Sequence, residues 1–535
     1  MKITKTNKTI LSVFLVLWLF VGLSVINYAF AQTTQQTDSV DTYRKLRLFT
    51  EVFNRLRQNY IYDIDVDKVI DAAIEGMLDE FDVHTHFFLP DDFDDFRTGT
   101  QGKFGGLGIS IDKQGDFITV ISPIEGTPAY EMGILAGDKI IKVDDESIVG
   151  MNTNDAIKLM RGDVGTRVKI TISRPGVEND LEFNIIRDLI EIKSVPYTFK
   201  LDNGIGYIRI RQFNANTSKE LRDALDDLES QGIRGLLIDL RFNPGGLLNE
   251  AIDTVNEFVG KDKKVVFTRG RLPQANQEFY TRYDRIRTGY PIIVLINEAS
   301  ASASEIFAGS MQDWDKGLVV GKTSFGKGSV QQLFPLQDGY GIKITTSKYF
   351  IHSGRGIHKD VNDRILRGEE LSESDLQAIE EEIQRDIYYT ENGRVVYGGG
   401  GITPDIEITA ERMNPFQTEV RRKNLFFPYS IDFMLEHEDQ VTERFEITDE
   451  IFQDFLKYLD DNGVTYINED IEQSESWLKI SLQSNIIGRK FGENAGYIVG
   501  LGLDDQLQEA LSLFDRFETL DEMFAYAESL KVANK

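Results

Sequence analysis

The residues of this chain best suited to chemistry lie in the segment Asn297–Gln331. The apolar residues 291–296 predict a short buried strand, and the small residues 300–304 then lead into a helical pattern that continues to Met311. That turn contains Ser300, Ser302 and Ser304, whose small neighbours leave room for a substrate backbone. The unpaired amides of a first helical turn can bind an oxyanion. The segment therefore predicts a serine nucleophile.

A serine hydroxyl is a weak nucleophile and needs a base. Lys327 is a candidate, because glycine flanks it on both sides and lets the backbone carry the amine inward. A lysine can act as a base when desolvation lowers its pKa toward neutrality, so no histidine is required. An ordinary interpretation stays open, since Ser/Ala runs are common helix caps and Gly-Lys-Gly turns are common loops.

The pattern N-E-x-S-A-S-A-S-E followed by T-x-F-G-K-G-x-V-Q resembles the carboxyl-terminal processing peptidases, also called tail-specific proteases. The resemblance implies that Ser302 is the nucleophile and that Lys327, in the F-G-K-G motif, is the base. It also implies that Gln331 orients the lysine ammonium.

The turn Arg241–Gly246 matches the D-L-R-x-N-P-G-G motif of the same family. The resemblance implies that a glycine amide, from Gly245 or Gly246, joins the amide of Ala303 in an oxyanion hole. A simple helix-entry turn is an alternative use of these residues, and both uses can hold at once.

Residues 104–187 show short alternating strands and one helix, a pattern similar to a PDZ domain. In PDZ domains a glycine-rich loop offers backbone amides to a peptide's terminal carboxylate, and the next strand pairs with the peptide. The predicted tail-binding residues are Phe104, Gly105, Gly106, Leu107, Gly108 and Ile109.

The N-terminus carries three lysines, an apolar run and then Ala29-Phe30-Ala31, which predicts an export signal at residues 1–31. Cleavage after Ala31 removes three lysines and no acid, so the net charge changes from −28 to −31. We expect a protein of the periplasm or cell envelope, with an uncleaved membrane anchor as the alternative. The acidic balance argues against nucleic-acid binding, and the absence of cysteine excludes thiolate chemistry.

Residues 42–98 show helical spacing and include Asp82-Val83-His84-Thr85, where the family usually shows D-P-H-S. This departure predicts a looser turn. His84 and His86 beside Asp82 could form a metal cluster, but capping is the commoner use of such residues, and no metal or cofactor is expected.

The alternation of strands and helices over residues 195–410 predicts a mostly parallel α/β peptidase core, ClpP/crotonase-like by resemblance, with an acidic insertion at 360–386. Residues 414–535 predict a C-terminal helical domain for packing, dimerisation or substrate delivery. The fold class is therefore multidomain α/β, with a helical arm, a PDZ domain, the peptidase core and the helical domain.

Together these features predict an exported serine endopeptidase that captures free, apolar C-terminal tails of proteins and cleaves through a Ser-Lys dyad. One alternative is a non-catalytic PDZ adaptor or chaperone, which would have no use for Lys327. Another is a histidine-dependent hydrolase, for which only His352 and His358 lie near core motifs. A homodimer stays open.

Overall fold

The structure is a computed structural model that describes residues 41–359, 372, 386–409 and 412–533. The predicted export signal lies outside the described residues, as does nearly all of the predicted acidic insertion. The chain divides into two compact units, Met1–Glu80 and Phe81–Lys535. In the described ranges no helix combines the length and the apolar character that crossing a bilayer requires.

The first unit contains helix α1 at 41–59 and helix α2 at Val66–Leu78. The side chain of Asp65 caps α2 by accepting a hydrogen bond from the Lys68 amide at 3.2 Å. The predicted helical character of the arm is therefore present in this unit.

The second unit begins with strand β1 (His86–Phe88), helix α3 (Pro90–Gln101) and strand β2 (Lys103–Gly106). A predicted PDZ domain follows, and its strands and helices are β3 (Ile109–Gln114), β4 (Phe117–Pro123), α4 (Pro128–Glu131), β5 (Lys139–Val143), β6 (Glu146–Ser147), α5 (Thr153–Met160), β7 (Arg167–Ser173) and β8 (Leu181–Ile186). Its sheet has the order β3-β4-β5-β7-β8, with β6 paired to β5. Strand β3 is therefore an edge strand.

The region predicted to be the peptidase core contains a six-stranded sheet in which β-strands alternate with helices. Its elements are β9 (Asp188–Glu191), which pairs with β2, then β10 (Tyr197–Lys200), β11 (Ile205–Arg209), α6 (Thr217–Ser230), β12 (Gly235–Asp239), α7 (Leu248–Val259), β13 (Lys264–Gly270), β14 (Glu278–Tyr280), β15 (Ile292–Ile296), α8 (Ala303–Asp313) and β16 (Leu318–Gly321). The order is β10-β11-β12-β15-β16-β21, where β21 is Ile406–Glu407, and every pair except β10–β11 is parallel. The central strands are buried along their whole length, which explains their continuous apolar sequences.

Because parallel strands end at the same edge, the turns after β12 and β15 meet there. A second sheet joins β1, β13 and β14 to the long strands β17 (Ser329–Pro335) and β18 (Gly341–Ile351). Strands β19 (Ile387–Tyr389) and β20 (Val395–Tyr397) form a separate hairpin.

The C-terminal helices contribute to two different cores. They are α9 (Pro415–Arg422), α10 (Phe426–His437), α11 (Asp449–Asp461), α12 (Asn468–Phe491), α13 (Glu493–Gly500), α14 (Asp505–Arg516) and α15 (Leu520–Ala533). Helices α9–α12 surround a core of their own, whereas α14 and α15 pack against the six-stranded sheet. The predicted C-terminal helical domain is thus divided, and its last two helices share a core with that sheet.

Candidate active site

Ser302 lies at the N-cap of α8, directly after β15, as the sequence predicts. Its backbone has φ 55° and ψ −112°, which is unusual for a residue with a side chain. Backbone strain of this kind costs on the order of 1–3 kcal/mol and is concentrated at functional sites. The residue is half-buried, so the turn presents it to solvent at the edge of the sheet.

Lys327 lies in the loop between β16 and β17. Its neighbour Gly326 has φ +90°, and a Cβ added there would lie 2.7 Å from the Cβ of Lys359. A Cβ on Gly328 would lie 2.7 Å from the backbone nitrogen of His358. Only glycine fits at both positions, which explains the Gly-Lys-Gly pattern. Lys327 itself is half-buried, so its desolvation is incomplete in this structure.

The Glu305 carboxylate joins the serine turn to the lysine loop. Its Oε2 accepts hydrogen bonds from the backbone amides of Ser302 at 2.7 Å and Lys327 at 2.9 Å. Its Oε1 accepts from Ser324 Oγ at 2.5 Å and from the Gly326 amide at 2.7 Å. Glu305 is fully buried, and burial raises its pKa to about 7 against the effect of these four bonds.

Tyr349 makes the matching connection on the carbonyl side. Its buried hydroxyl lies 3.1 Å from the carbonyl oxygen of Ser302 and 2.5 Å from that of Lys327, and its single hydrogen is shared between the two, with the shorter contact to Lys327. The amides of Ser302 and Lys327 thus share one carboxylate oxygen, and their carbonyls share one hydroxyl. The structure therefore brings together the backbones of the two residues that the sequence singled out.

The turn after β12 lies against the serine turn. Gly245 has φ +98°, and a Cβ there would lie 2.7 Å from the Ser302 Cβ and 2.9 Å from the Ala303 nitrogen. The Gly245 amide donates to Asn243 Oδ1 at 2.9 Å, so it is already occupied. The next residue, Gly246, is exposed.

Gly246 also forms a parallel bridge with Phe213. The Phe213 amide donates to the Gly245 carbonyl at 2.9 Å, and the Phe213 carbonyl accepts from the Leu247 amide at 2.8 Å. In a parallel bridge with this pattern, the amide of Gly246 points away from Phe213. Of the two predicted glycines, Gly246 is therefore the better candidate for the predicted oxyanion hole, and the amide of Ala303 lies at the start of α8.

Buried charged side chains hold the turn after β12 in place. Asp239 accepts hydrogen bonds from Arg241 and Arg209, and Arg241 also pairs with Asp504 at the start of α14. Burial raises the pKa of Asp239, but the two guanidinium groups outweigh it and hold the pKa at about 2. The C-terminal segment thus helps to position the turn after β12.

Gln331 lies on β17, four residues beyond the lysine. Its Nε2 donates to Ser329 Oγ at 2.9 Å and to Thr345 Oγ1 at 3.2 Å. The side chain is half-buried and is oriented by these two hydroxyls.

The predicted tail-binding segment is only partly a loop. Its first three residues belong to β2, which pairs with β9, and Leu107 and Gly108 form the connection to β3. The Phe104 ring lies 4.5 Å from the Arg161 guanidinium carbon, and Leu107 is buried in the PDZ core. Ile109 begins the edge strand β3, whose outer side is available for peptide pairing.

The remaining candidates have other surroundings. His352 stacks on Trp314 at 3.8 Å between ring centroids, whereas the backbone of His358 lies against Gly328 in the lysine loop. The Asp82 carboxylate accepts from the amides of His84 and Thr85, which closes the turn that we expected to be looser. Among the described residues no group of three or more acidic or histidine side chains is placed to hold a metal ion.

Sequence reasoning did not identify Glu305 or Tyr349 as site residues. Glu305 had a usable signal, because an acid three residues after a serine N-cap is a helix-start pattern. Tyr349 lies 47 residues from Ser302 and had none.

Comparison with known proteins identifies the parts of the chain. Residues 204–366 match the model of peptidase family S41, residues 119–174 match a PDZ domain, and residues 416–492 match a family of unknown function (DUF8443). The carboxy-terminal-processing protease of Bartonella bacilliformis is 40% identical over 64% of this chain and 79% of that protein. The carboxy-terminal processing protease CtpA of Bacillus subtilis is 35% identical over 59% of this chain and 67% of that protein.

A solved photosystem II D1 C-terminal processing protease is 29% identical and covers 58% of this chain and 83% of its own, with a TM-score of 0.34. The sequence matches, and the 79% coverage of the Bartonella protein above all, are decisive. The chain belongs to peptidase family S41 and is a serine-type carboxy-terminal processing peptidase with a PDZ domain.

Proposed function

We propose that this peptidase cleaves proteins through a dyad of Ser302 and Lys327. The observation that carries the proposal is the double connection between their backbones through Glu305 and Tyr349. Two segments 25 residues apart, each weak evidence alone, share both a buried acceptor and a buried donor. A loop with only a structural role would not need two buried side chains to connect it to a strained serine.

In this mechanism Ser302 Oγ attacks the carbonyl carbon of the scissile bond while Lys327 Nζ takes the hydroxyl proton. The ammonium then gives the proton to the leaving amine, and an acyl-enzyme remains. Water, activated in the same way by Lys327, hydrolyses the ester and regenerates the serine. The half-buried Lys327 becomes fully desolvated when substrate covers it, which lowers its pKa toward neutrality.

The developing oxyanion accepts hydrogen bonds from the amides of Ala303 and Gly246. Gly245 supports them sterically, because its missing side chain leaves room for the serine turn. Gln331 orients the Lys327 ammonium. These roles require no metal or cofactor.

The PDZ domain captures the free C-terminal tail of the substrate, with residues Phe104–Ile109 receiving its carboxylate and β3 pairing with its backbone. The substrates are proteins with unstructured, apolar C-termini. The N-terminal signal in the sequence supports export to the periplasm or cell envelope. A non-catalytic adaptor would share this tail binding but not the dyad.

The test is cleavage of an unstructured reporter with an apolar tail by Ser302→Ala, Lys327→Ala and the double variant. Each single variant should lose cleavage, and the double variant should be no worse, because the two residues act as a unit. Retained tail binding with lost cleavage would separate peptidase from adaptor. Substantial turnover by Lys327→Ala would refute the dyad, and a rate that depends on His358 would favour the histidine-dependent alternative.

A further inference from the structure

The turn that precedes β1 is connected to the strand that carries Gln331. Asp82 Oδ1 accepts a hydrogen bond from Thr345 Oγ1 on β18 at 3.0 Å, and the Thr345 amide donates to Thr85 Oγ1 at 3.2 Å. The register of β17 and β18 places Gln331 directly opposite Thr345. Hydrogen bonds therefore run without interruption from Asp82 through Thr345 to Gln331.

The direction of these hydrogen bonds is set by Asp82. Burial raises the pKa of its carboxyl, but hydrogen bonds from Thr85, His84 and Thr345 outweigh burial and lower the pKa. At neutral pH the group is a carboxylate, which only accepts. Thr345 has one hydroxyl hydrogen and gives it to Asp82, so toward Gln331 its oxygen can only accept.

The amide of Gln331 must therefore present its nitrogen to Thr345. Its two hydrogens are used by Thr345 Oγ1 at 3.2 Å and Ser329 Oγ at 2.9 Å. The carbonyl oxygen then lies at the other end of the planar amide, directed away from these two hydroxyls. An ammonium has only donors, so this is the end of the amide that can bind it.

We infer that Asp82 and Thr345 are positioning residues that fix the orientation of the Gln331 amide, so that its oxygen and not its nitrogen faces the catalytic lysine. The inference rests on the proposed role of Gln331 toward Lys327. It assigns a purpose to the turn at residues 82–85, which lies about 250 residues before the site in the chain.

The cleanest variant is Thr345→Val, which keeps the shape of the side chain and the other hydrogen bonds of the Asp82 turn. Without the hydroxyl the Gln331 amide is free to turn, and kcat should fall about 10- to 100-fold, the range for groups that orient a catalytic residue. Thr345→Ser keeps the hydroxyl and should restore the rate. Thr346→Val is the matched control, since Thr346 Oγ1 donates only a long 3.5 Å bond to Val330 O.

A pH profile separates positioning from general damage to the fold. A Gln331 oxygen that accepts from the ammonium favours the charged lysine, so its loss lowers the pKa of the base. The rising limb of kcat/KM should therefore shift to lower pH in Thr345→Val. The titratable side chains around the turn are Lys343 on β18 and the histidines 84 and 86, and all of them are retained in this variant.

Two further variants complete the test. In a Gln331→Ala background, Thr345→Val should cause no additional loss, because Thr345 acts through that amide. Additional loss, an unshifted pH limb, or equal rates for Thr345→Val and Thr345→Ser would overturn the inference. Wild-type kcat in Gln331→Ala would instead contradict the proposed role of Gln331 itself. The hydrogen bonds from Asp82 and Thr345 would then have no catalytic residue to position.

Discussion

Replacing Glu305 with glutamine tests whether catalysis depends on the hydrogen bonds by which Glu305 connects the backbones of Ser302 and Lys327. The carboxylate accepts four hydrogen bonds on two oxygens. Glutamine keeps one oxygen and puts an NH2 group in place of the other. In place of Oε2 this group faces two backbone amides, whereas in place of Oε1 it faces the Gly326 amide and the Ser324 hydroxyl, which can accept. One or two bonds are therefore lost, and a hydrogen bond to a charged group contributes about 1.5–3 kcal/mol.

The connection between the two segments therefore loses about 1.5–6 kcal/mol in Glu305→Gln. If this loss appears in kcat, the rate falls roughly 10- to 10⁴-fold, because 1.36 kcal/mol corresponds to a factor of ten. Ser324→Ala is the comparison variant: it keeps the carboxylate but removes one of its donors and the acceptor of the Ile402 amide, so a loss of about 10- to 10²-fold is expected. Steady-state cleavage of an unstructured reporter gives kcat, and circular dichroism checks that both variants are folded.

The pH dependence gives a second readout with a distinctive sign. Burial raises the pKa of Glu305 to about 7 from 4.5, so the folded protein holds a proton in this window that the unfolded chain does not. As the pH falls from 7 to 4.5, this group increases the free energy of unfolding. The rate should fall as the pH drops through about 7, because the carboxyl of the folded enzyme takes up its proton there and an acceptor becomes a donor. Near-normal kcat in Glu305→Gln, or an unchanged acidic limb in that variant, would refute the reasoning.

One further protein variant tests the turn that contains Gly245, and one change of the substrate tests recognition of its C-terminal tail. Gly245→Ala should lower both kcat and thermal stability, since its Cβ would lie 2.7 Å from that of Ser302 at φ +98°; normal kinetics would show that the turn can move away. Amidating the C-terminus of the reporter removes the carboxylate that Phe104–Ile109 would bind, so kcat/KM should fall, and equal cleavage of free and amidated tails would eliminate carboxylate recognition.

The local structure around the candidate catalytic residues could be predicted from the sequence. The apolar run before Ser302 and the small residues around it specify a strand, a sharp turn and a helix over one short segment, and the structure has all three. The glycines on either side of Lys327 were also informative, because glycine marks positions where the backbone conformation or neighbouring atoms leave no room for a side chain. The family motifs then connected two distant segments that no local pattern connects.

Other features were decided by tertiary structure. The sequence left Gly245 and Gly246 as equal candidates, and the tertiary structure distinguishes their amides through the Asn243 side chain and the bridge to Phe213. It predicted a loop where Phe104 joins a strand, because the partner strand β9 lies more than 80 residues away.

The roles of Glu305, Tyr349 and Asp82 follow the same rule. Each depends on donors and acceptors from segments far apart in the chain that converge on one side chain. Periodicity and turn residues report the conformation of neighbouring residues, whereas the direction of a buried hydrogen bond is set by whichever partner the fold brings to it. The sequence therefore determined which residues could react, and the tertiary structure decided how they are held.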